Sequence, residues 1–138
     1  ITLPSFLNLE KTLTEEYCVR WGKRMHERIA EFRNYIDGLL LKNKKIAGFG
    51  AAAKGCVFLN SVGIDDSMIE FVVDDTIFKQ GKYIPGTGIK VVPREVLFDS
   101  KIDYILILAH NFKDYIIESL KGKYYGKYIV MFPDIKNY

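Results

Sequence analysis

The sequence predicts an α/β fold of three layers, with a five-stranded, mainly parallel sheet in the order 3-2-1-4-5 behind a long N-terminal helix. Three observations predict it. From Lys44 onward short apolar runs alternate with helical stretches, which implies parallel strands joined by crossovers. The run Lys45-Ile46-Ala47 breaks directly into Gly48-Phe49-Gly50-Ala51-Ala52-Ala53-Lys54-Gly55, a strand, glycine turn and helix start of the kind that cradles phosphate. Gly48, Gly50 and Ala53 fit G-x-G-x-x-G/A, and Asp74 lies 21 residues after Ala53 at the end of a second apolar run. Dinucleotide folds hold a ribose hydroxyl there, so the sheet reads as Rossmann-like.

The elements follow in order. Residues 1–10 read as an irregular lead-in. Thr12-Leu13-Thr14-Glu15 fits a capping box, in which a Thr hydroxyl and a Glu carboxylate satisfy free amides at a helix start. Cys18, Trp21, Met25, Ile29, Phe32, Ile36 and Leu40 then recur at steps of three and four. They form the apolar stripe of a helix whose other face carries Lys23, Arg24, Glu27, Arg28, Glu31 and Arg33. At ~1.5 Å rise, about 28 residues span roughly 40 Å, a length that suits a helix packing on another domain. The expected division is 1–43 for lead-in and helix, and 44–138 for the sheet domain.

Lys44–Phe49 is the first strand. Ala53–Val62 is the helix behind the glycine loop, stopped by Gly63. Ile69–Val73 is the second strand, ending at Asp74-Asp75. Gly81, Pro85, Gly86 and Gly88 keep residues 76–88 from forming a helix. Ile89–Val92 is a short third strand, and Pro93 opens one or two helical turns over Arg94-Glu95-Val96-Leu97. Asp103–Ala109, the most apolar run, belongs in the centre, followed by a helix over Phe112–Leu120 and a last strand over Lys127–Phe132. In this order the winding reverses between strands one and four, and ligands sit at that switch point beyond the strands' carboxyl ends. Gly48–Gly55 and His110-Asn111-Phe112 converge there.

Composition bounds the function. With 138 residues, 49% hydrophobic and 27% charged, the chain has material for one core of its own. A net charge of +3, spread along the chain, slightly favours an anionic ligand and lacks the clustered basic face of a nucleic-acid binder. Cys18 and Cys56 are 38 residues apart, without C-x-x-C or a nearby His. They are expected to be buried thiols in a reducing cytoplasm, with neither a disulfide nor a metal site. The run Ile105–Ala109 with Tyr104 is too short to span a bilayer, and no secretory signal is visible. A chain that starts at Ile1 is expected to be a piece of a longer protein.

Each candidate residue has a functional and a plain reading. The glycine loop either contacts phosphate or ribose, or is a tight turn of small residues. Lys54 sits in the first helical turn, where a cation opposes the dipole unless an anion binds; otherwise it is a solvated lysine. Asp74 either meets a ribose or caps the strand end, and Asp75 could serve equally. Phe78-Lys79-Gln80-Gly81-Lys82-Tyr83-Ile84-Pro85-Gly86-Thr87-Gly88 replaces a crossover helix by a loop of roughly a dozen residues, a size that is usually functional or disordered. Its lysines, Gln, Tyr and Thr suit a diphosphate or sugar hydroxyls. His110 is an acid/base candidate or a hydrogen-bonding loop residue, and His26 reads as surface. Trp21 and the other aromatics read as core or interface material. No triad spacing, carboxylate pair or metal cluster is present in the sequence.

Three stretches together carry a family resemblance: Ile46 to Gly55, Val73-Asp74 through Lys79-Gln80-Gly81-Lys82-Tyr83-Ile84-Pro85-Gly86-Thr87, and Ile105 to Lys113. Over about residues 5–135 the chain resembles the C-terminal domain of the SAM-dependent sugar C-methyltransferases, which methylate nucleotide-linked keto-deoxysugars. The resemblance implies a zinc-binding N-terminal segment and a central SAM-binding domain with the catalytic base, both outside this chain. It implies proton removal beside a sugar ketone and methyl transfer from SAM to that carbon. The present domain would bind the nucleotide-diphosphate sugar. Lys54, Gly55, Lys79, Gln80, Gly81, Pro85, Gly86, Thr87, Asn111 and Phe112 match the family pattern. Asp75-Thr76-Ile77 stands in place of a basic-polar-proline run, Gly88 in place of a His, and His110 in place of a Trp. These departures bear on the sugar or base bound.

The sequence thus points to a substrate domain. Its expected ligand contacts are Gly48, Gly50, Ala51, Lys54, Gly55, Asp74, Lys79, Gln80, Gly81, Pro85, Gly86, Thr87, His110, Asn111 and Phe112. SAM is expected on the absent domain, and the partners are that domain and the nucleotide sugar, with no nucleic acid or membrane. An NAD-type domain and a non-catalytic interaction domain docking through helix 12–41 are the alternatives.

Overall fold

A computed structural model describes residues 10–131 and 135–137. They fall into two compact units that divide inside the first helix, one ending at Glu31 and the other starting at Phe32. Residues 1–9 of the lead-in, and Phe132 at the expected end of the last strand, lie outside the described residues.

The helices are α1 (Glu15–Leu41), α2 (Ala53–Val62), α3 (Arg94–Phe98) and α4 (Lys113–Leu120), and α1 has 27 residues. The Thr14 hydroxyl caps α1 by accepting the Tyr17 amide at 3.1 Å, two residues later than a box starting at Thr12. In the first unit Trp21 is 53% exposed. Glu16 and Arg20 pair at 3.9 Å with both side chains in solvent, a contact worth little. The expectation of two buried thiols fails: Cys18 is exposed and Cys56 is half-buried. The apolar stripe of that helical stretch has no other helix or strand to cover it among the unit's described residues.

In the second unit the stripe is buried at Phe32, Ile36 and Leu39, the last one position earlier than the spacing predicts. Phe32 packs edge-on against Phe58 of α2, with ring centroids 5.0 Å apart. Arg33 donates to both Asp37 oxygens at 3.0 Å and to the Gly63 carbonyl, the α2 C-cap, at 2.6 Å. Just past the end of the helix, Asn43 takes a left-handed φ of 54°, and the Lys44 amide returns to the Leu39 carbonyl at 3.1 Å.

The strands are β1 (Ile46–Phe49), β2 (Val72–Val73), β3 (Val91–Val92), β4 (Tyr104–Ile107), β5 (Lys127–Val130) and β6 (Lys136–Asn137). The first five are parallel in the order β3-β2-β1-β4-β5, as the sequence predicts. β6 extends this sheet, antiparallel to β5, with Val130 opposite Lys136; no apolar run announces it. Alternate residues serve the two faces. Ala47, Phe49, Val73, Ile105, Ile107, Tyr128 and Val130 share one apolar cluster with Leu97 of α3 and with Ile116 and Leu120 of α4. Ile46, Val72, Leu106 and Ile129, also buried, face the other side. There α2 approaches so closely that a methyl on Gly55 would meet the Leu108 Cβ at 2.8 Å.

No crossover helix joins β2 to β3. A 3-10 turn at Ile77–Lys79 leads into a stretch that runs back antiparallel beside β3. Gly81 donates to the Val91 carbonyl, Val91 to Lys82 and Ile84 to Ile89, each at 2.8 Å. Pro85-Gly86-Thr87 then turns the chain into β3. Asn60 of α2 donates to the Pro85 carbonyl at 3.0 Å, and the Asp66 amide to the Thr87 carbonyl at 3.1 Å. Gly86 has φ 76° and abuts Asn60, so no side chain fits there.

Phe32 is fully buried between α1 and α2. Phe32→Ala should lower unfolding free energy by about 3–5 kcal/mol in chemical denaturation. A loss below about 1 kcal/mol would mean that this helix pair is not part of the cooperative core.

Candidate functional site

The carboxyl ends of β1, β2 and β4 bring the expected loops together. The Gly50 amide donates to the Val73 carbonyl at 2.8 Å, and the Leu108 amide to the Phe49 carbonyl at 2.9 Å. Gly50 has φ 97°, and a Cβ there would lie 2.5 Å from the Ala109 Cβ. A methyl on Gly48 would meet Val72 at 2.8 Å. Gly48, Gly50 and Gly55 are therefore required by close backbone approach, the role such glycines have in dinucleotide folds.

Beyond Gly50 the loop feeds α2, which has no side-chain cap at Ala52. Its first internal bond runs from the Cys56 amide to the Ala52 carbonyl at 3.0 Å. The amides of Ala53, Lys54 and Gly55 lie before it, so the positive end of the helix is open. Lys54 is exposed and has no ion pair or hydrogen bond among the described residues.

Asp74 sits at the end of β2 and is buried. Its carboxylate turns back onto the glycine loop and accepts the Ala51 amide at 2.7 Å, the Thr76 amide at 2.9 Å and the Lys79 ammonium at 3.2 Å. Lys79 also donates to the Ala51 carbonyl at 2.9 Å, and the Gln80 amide nitrogen to the Asp74 carbonyl at 3.0 Å. Four expected site residues, Ala51, Asp74, Lys79 and Gln80, thus form one cluster, bonded to each other. Burial pushes the Asp74 carboxyl up, but hydrogen bonds from Thr76, Lys79 and Ala51 outweigh it and hold the group below the usual carboxylate range.

His110, Asn111 and Phe112 form a 3-10 turn after β4, with Asn111 and Phe112 exposed and His110 half-buried. Through Ala109 this turn abuts Gly50. Gly81 lies beside β3, bonded to Val91. Pro85, Gly86 and Thr87 lie elsewhere, on the turn against Asn60 and Asp66, where Thr87 bonds within its own turn to Ile84 and Ile89. Gly88 is on that turn too, beside Asp66, with φ 74°.

Arg94 was not among the expected residues. It opens α3 at the carboxyl end of β3, donates through Nε and Nη2 to the two Asp75 carboxylate oxygens, and lies over the Phe49 ring 5.6 Å from its centroid. Pro93 at a helix start, directly after an apolar run, is the signal that places residue 94 on this edge.

Replacing Asp74 by Asn removes the charge and turns one of the two accepting oxygens into a donor, facing either the Thr76 amide or the Ala51 amide and Lys79 ammonium. Asp74→Asn should cost about 1–3 kcal/mol at neutral pH. A carboxyl depressed in the folded state stabilises above its unfolded pKa, about 3.9, and loses that contribution as pH falls through the folded value. The wild-type advantage in denaturation midpoint should therefore shrink below about pH 4. An advantage independent of pH would show that the ionised form is not what matters.

The profile of the C-methyltransferase C-terminal domain family matches residues 6–133. C-methyltransferase NovU of Streptomyces niveus is 35% identical over 111 residues, which cover 78% of this chain and 26% of that protein. The chain thus spans about a quarter of the length of this relative, 26%. With the predicted five-strand order in place and the profile running over nearly all of the sequence, the chain belongs to the C-methyltransferase C-terminal domain family.

Proposed function

We propose that this chain is the substrate domain of a SAM-dependent sugar C-methyltransferase and holds a nucleotide-diphosphate sugar at the carboxyl edge of its sheet. The observation that carries this reading is the open first turn of α2 with Lys54 on it, beside the loop of Ala109–Phe112. The amides of residues 53–55 and the Lys54 ammonium take the diphosphate. Asn111 and His110 meet the sugar side. Asp74, Lys79 and Gln80 act one step back, by holding Ala51 and so the shape of the loop. Pro85, Gly86 and Thr87 set the β2–β3 connection.

SAM supplies the methyl group, and the residues of this chain do not fit it. A ribose diol, of SAM or of NAD, calls for a receptive carboxylate after β2, and Asp74 already accepts three hydrogen bonds from within the chain. SAM and the catalytic base belong on a methyltransferase domain outside these residues, and the exposed Tyr17 and Trp21 of α1 suit contact with it. The setting is the cytoplasm, which free thiols suit. Among the described residues no helix is long and apolar enough to cross a membrane. The domain's contribution is positioning: fixing the sugar beside the methyl donor removes translational and rotational freedom, an effect worth ~7 kcal/mol or more in good cases.

Titration with a panel of nucleotide-diphosphate sugars, NAD and SAM, read by ligand-observed NMR, tests the assignment. A nucleotide sugar should bind, and Lys54→Ala should weaken it by more than about tenfold while leaving the fold intact. Unchanged affinity would remove Lys54 from the site, and NAD binding would favour a dinucleotide domain.

A further inference from the structure

Four lysines from three stretches of the sequence line a cleft at the other end of the sheet. This cleft of about 580 Å³ opens at the amino ends of β1, β4 and β5, and Lys44, Lys101, Lys123 and Lys127 line it. The carboxylate among its described lining residues is Asp103, which is already committed. It accepts the Lys45 amide at 2.9 Å and the Lys44 ammonium at 3.3 Å. Lys101, Lys123 and Lys127 form no ion pair among the described residues, and Lys123 lies over the Phe98 ring, 5.8 Å from its centroid. A chain with a net charge of only +3 therefore gathers three unneutralised cations in one concavity, which focuses positive potential.

The walls are aromatic. Tyr125 is 88% exposed at the rim. Tyr124 folds over Gly126, donates to the Lys127 carbonyl at 3.3 Å and packs edge-on against Tyr128. The volume is that of a small-molecule site, and exposed rings among cations suit a ligand with both a planar base and phosphate.

The geometry points to a second anion site that takes a nucleoside phosphate, with Lys101 and Lys127 on the phosphate and Tyr125 against the base. It lies at the opposite ends of the strands from Lys54, so it stands or falls apart from the substrate reading.

The test is titration of the ¹⁵N-labelled chain with adenosine diphosphate and, separately, with pyrophosphate. Both should shift amides of residues 101–104 and 123–127, adenosine diphosphate the more tightly, with affinity falling as salt is raised. Lys101→Gln with Lys127→Gln should weaken these shifts about tenfold or more, and Lys54→Ala should leave them unchanged. Tyr125→Ala should bring adenosine diphosphate down to the affinity of pyrophosphate. The spectrum of the remaining amides verifies that each variant is folded. No shifts at these residues at about 10 mM adenosine diphosphate, or shifts that survive the double lysine change, would overturn the site. Equal affinity for the two ligands in the unchanged chain would overturn the aromatic part.

Discussion

The carboxylate of Asp74 governs the carboxyl edge of this sheet. A buried charge is costly unless it is paired and hydrogen-bonded, and this one is satisfied from the glycine loop, from its own strand end and from Lys79. The loop after β1 cannot shift without taking one of that charge's hydrogen bonds away, and the 3-10 turn at Ile77–Lys79 cannot leave without removing its counterion. Glycine makes the arrangement possible. Gly50 lets the β1 loop lie on Ala109, and Gly55 lets α2 lie on Leu108. One ionised group and two missing methyls thus bring three chain segments to one place.

Fixing the loop from behind changes what the sequence motif means. In a dinucleotide fold the glycine turn and the downstream acid both address the ligand. Here the acid addresses the turn, and the first turn of α2 with Lys54 is what faces outward. Asp75 is likewise spent, on Arg94. Two acids at this edge of the sheet are paired within the chain, which leaves the local field to the helix dipole and the lysine.

The strand order was legible because strands one, four and five are apolar runs with clear turn signals, and because the glycine turn identifies the first. Gly81, Pro85, Gly86 and Gly88 correctly ruled out a helix between β2 and β3. They could not reveal that residues 81–84 pair with β3, since that depends on backbone bonds rather than on side-chain pattern. The same limit hid β6, whose pairing at Lys136 and Asn137 has no apolar signature. Residue types singled out Asp74, Lys79 and Gln80, which the fold gathers into one cluster, but not the direction in which they point. Periodicity also ran on past its meaning. Cys18 and Phe32 occupy one stripe, yet Cys18 is exposed and Phe32 is fully buried.

The antiparallel stretch 81–84 has a consequence for how such domains live together at high concentration. An open parallel sheet presents a row of unpaired amides and carbonyls on each flank, a template for another chain's strand. On one flank those groups of β3 are taken by the same polypeptide folding back on itself. On the other, β6 is the outermost strand among the described residues. Beside β3, the groups that a foreign strand would need are already bonded within the chain, which works against edge-to-edge pairing there.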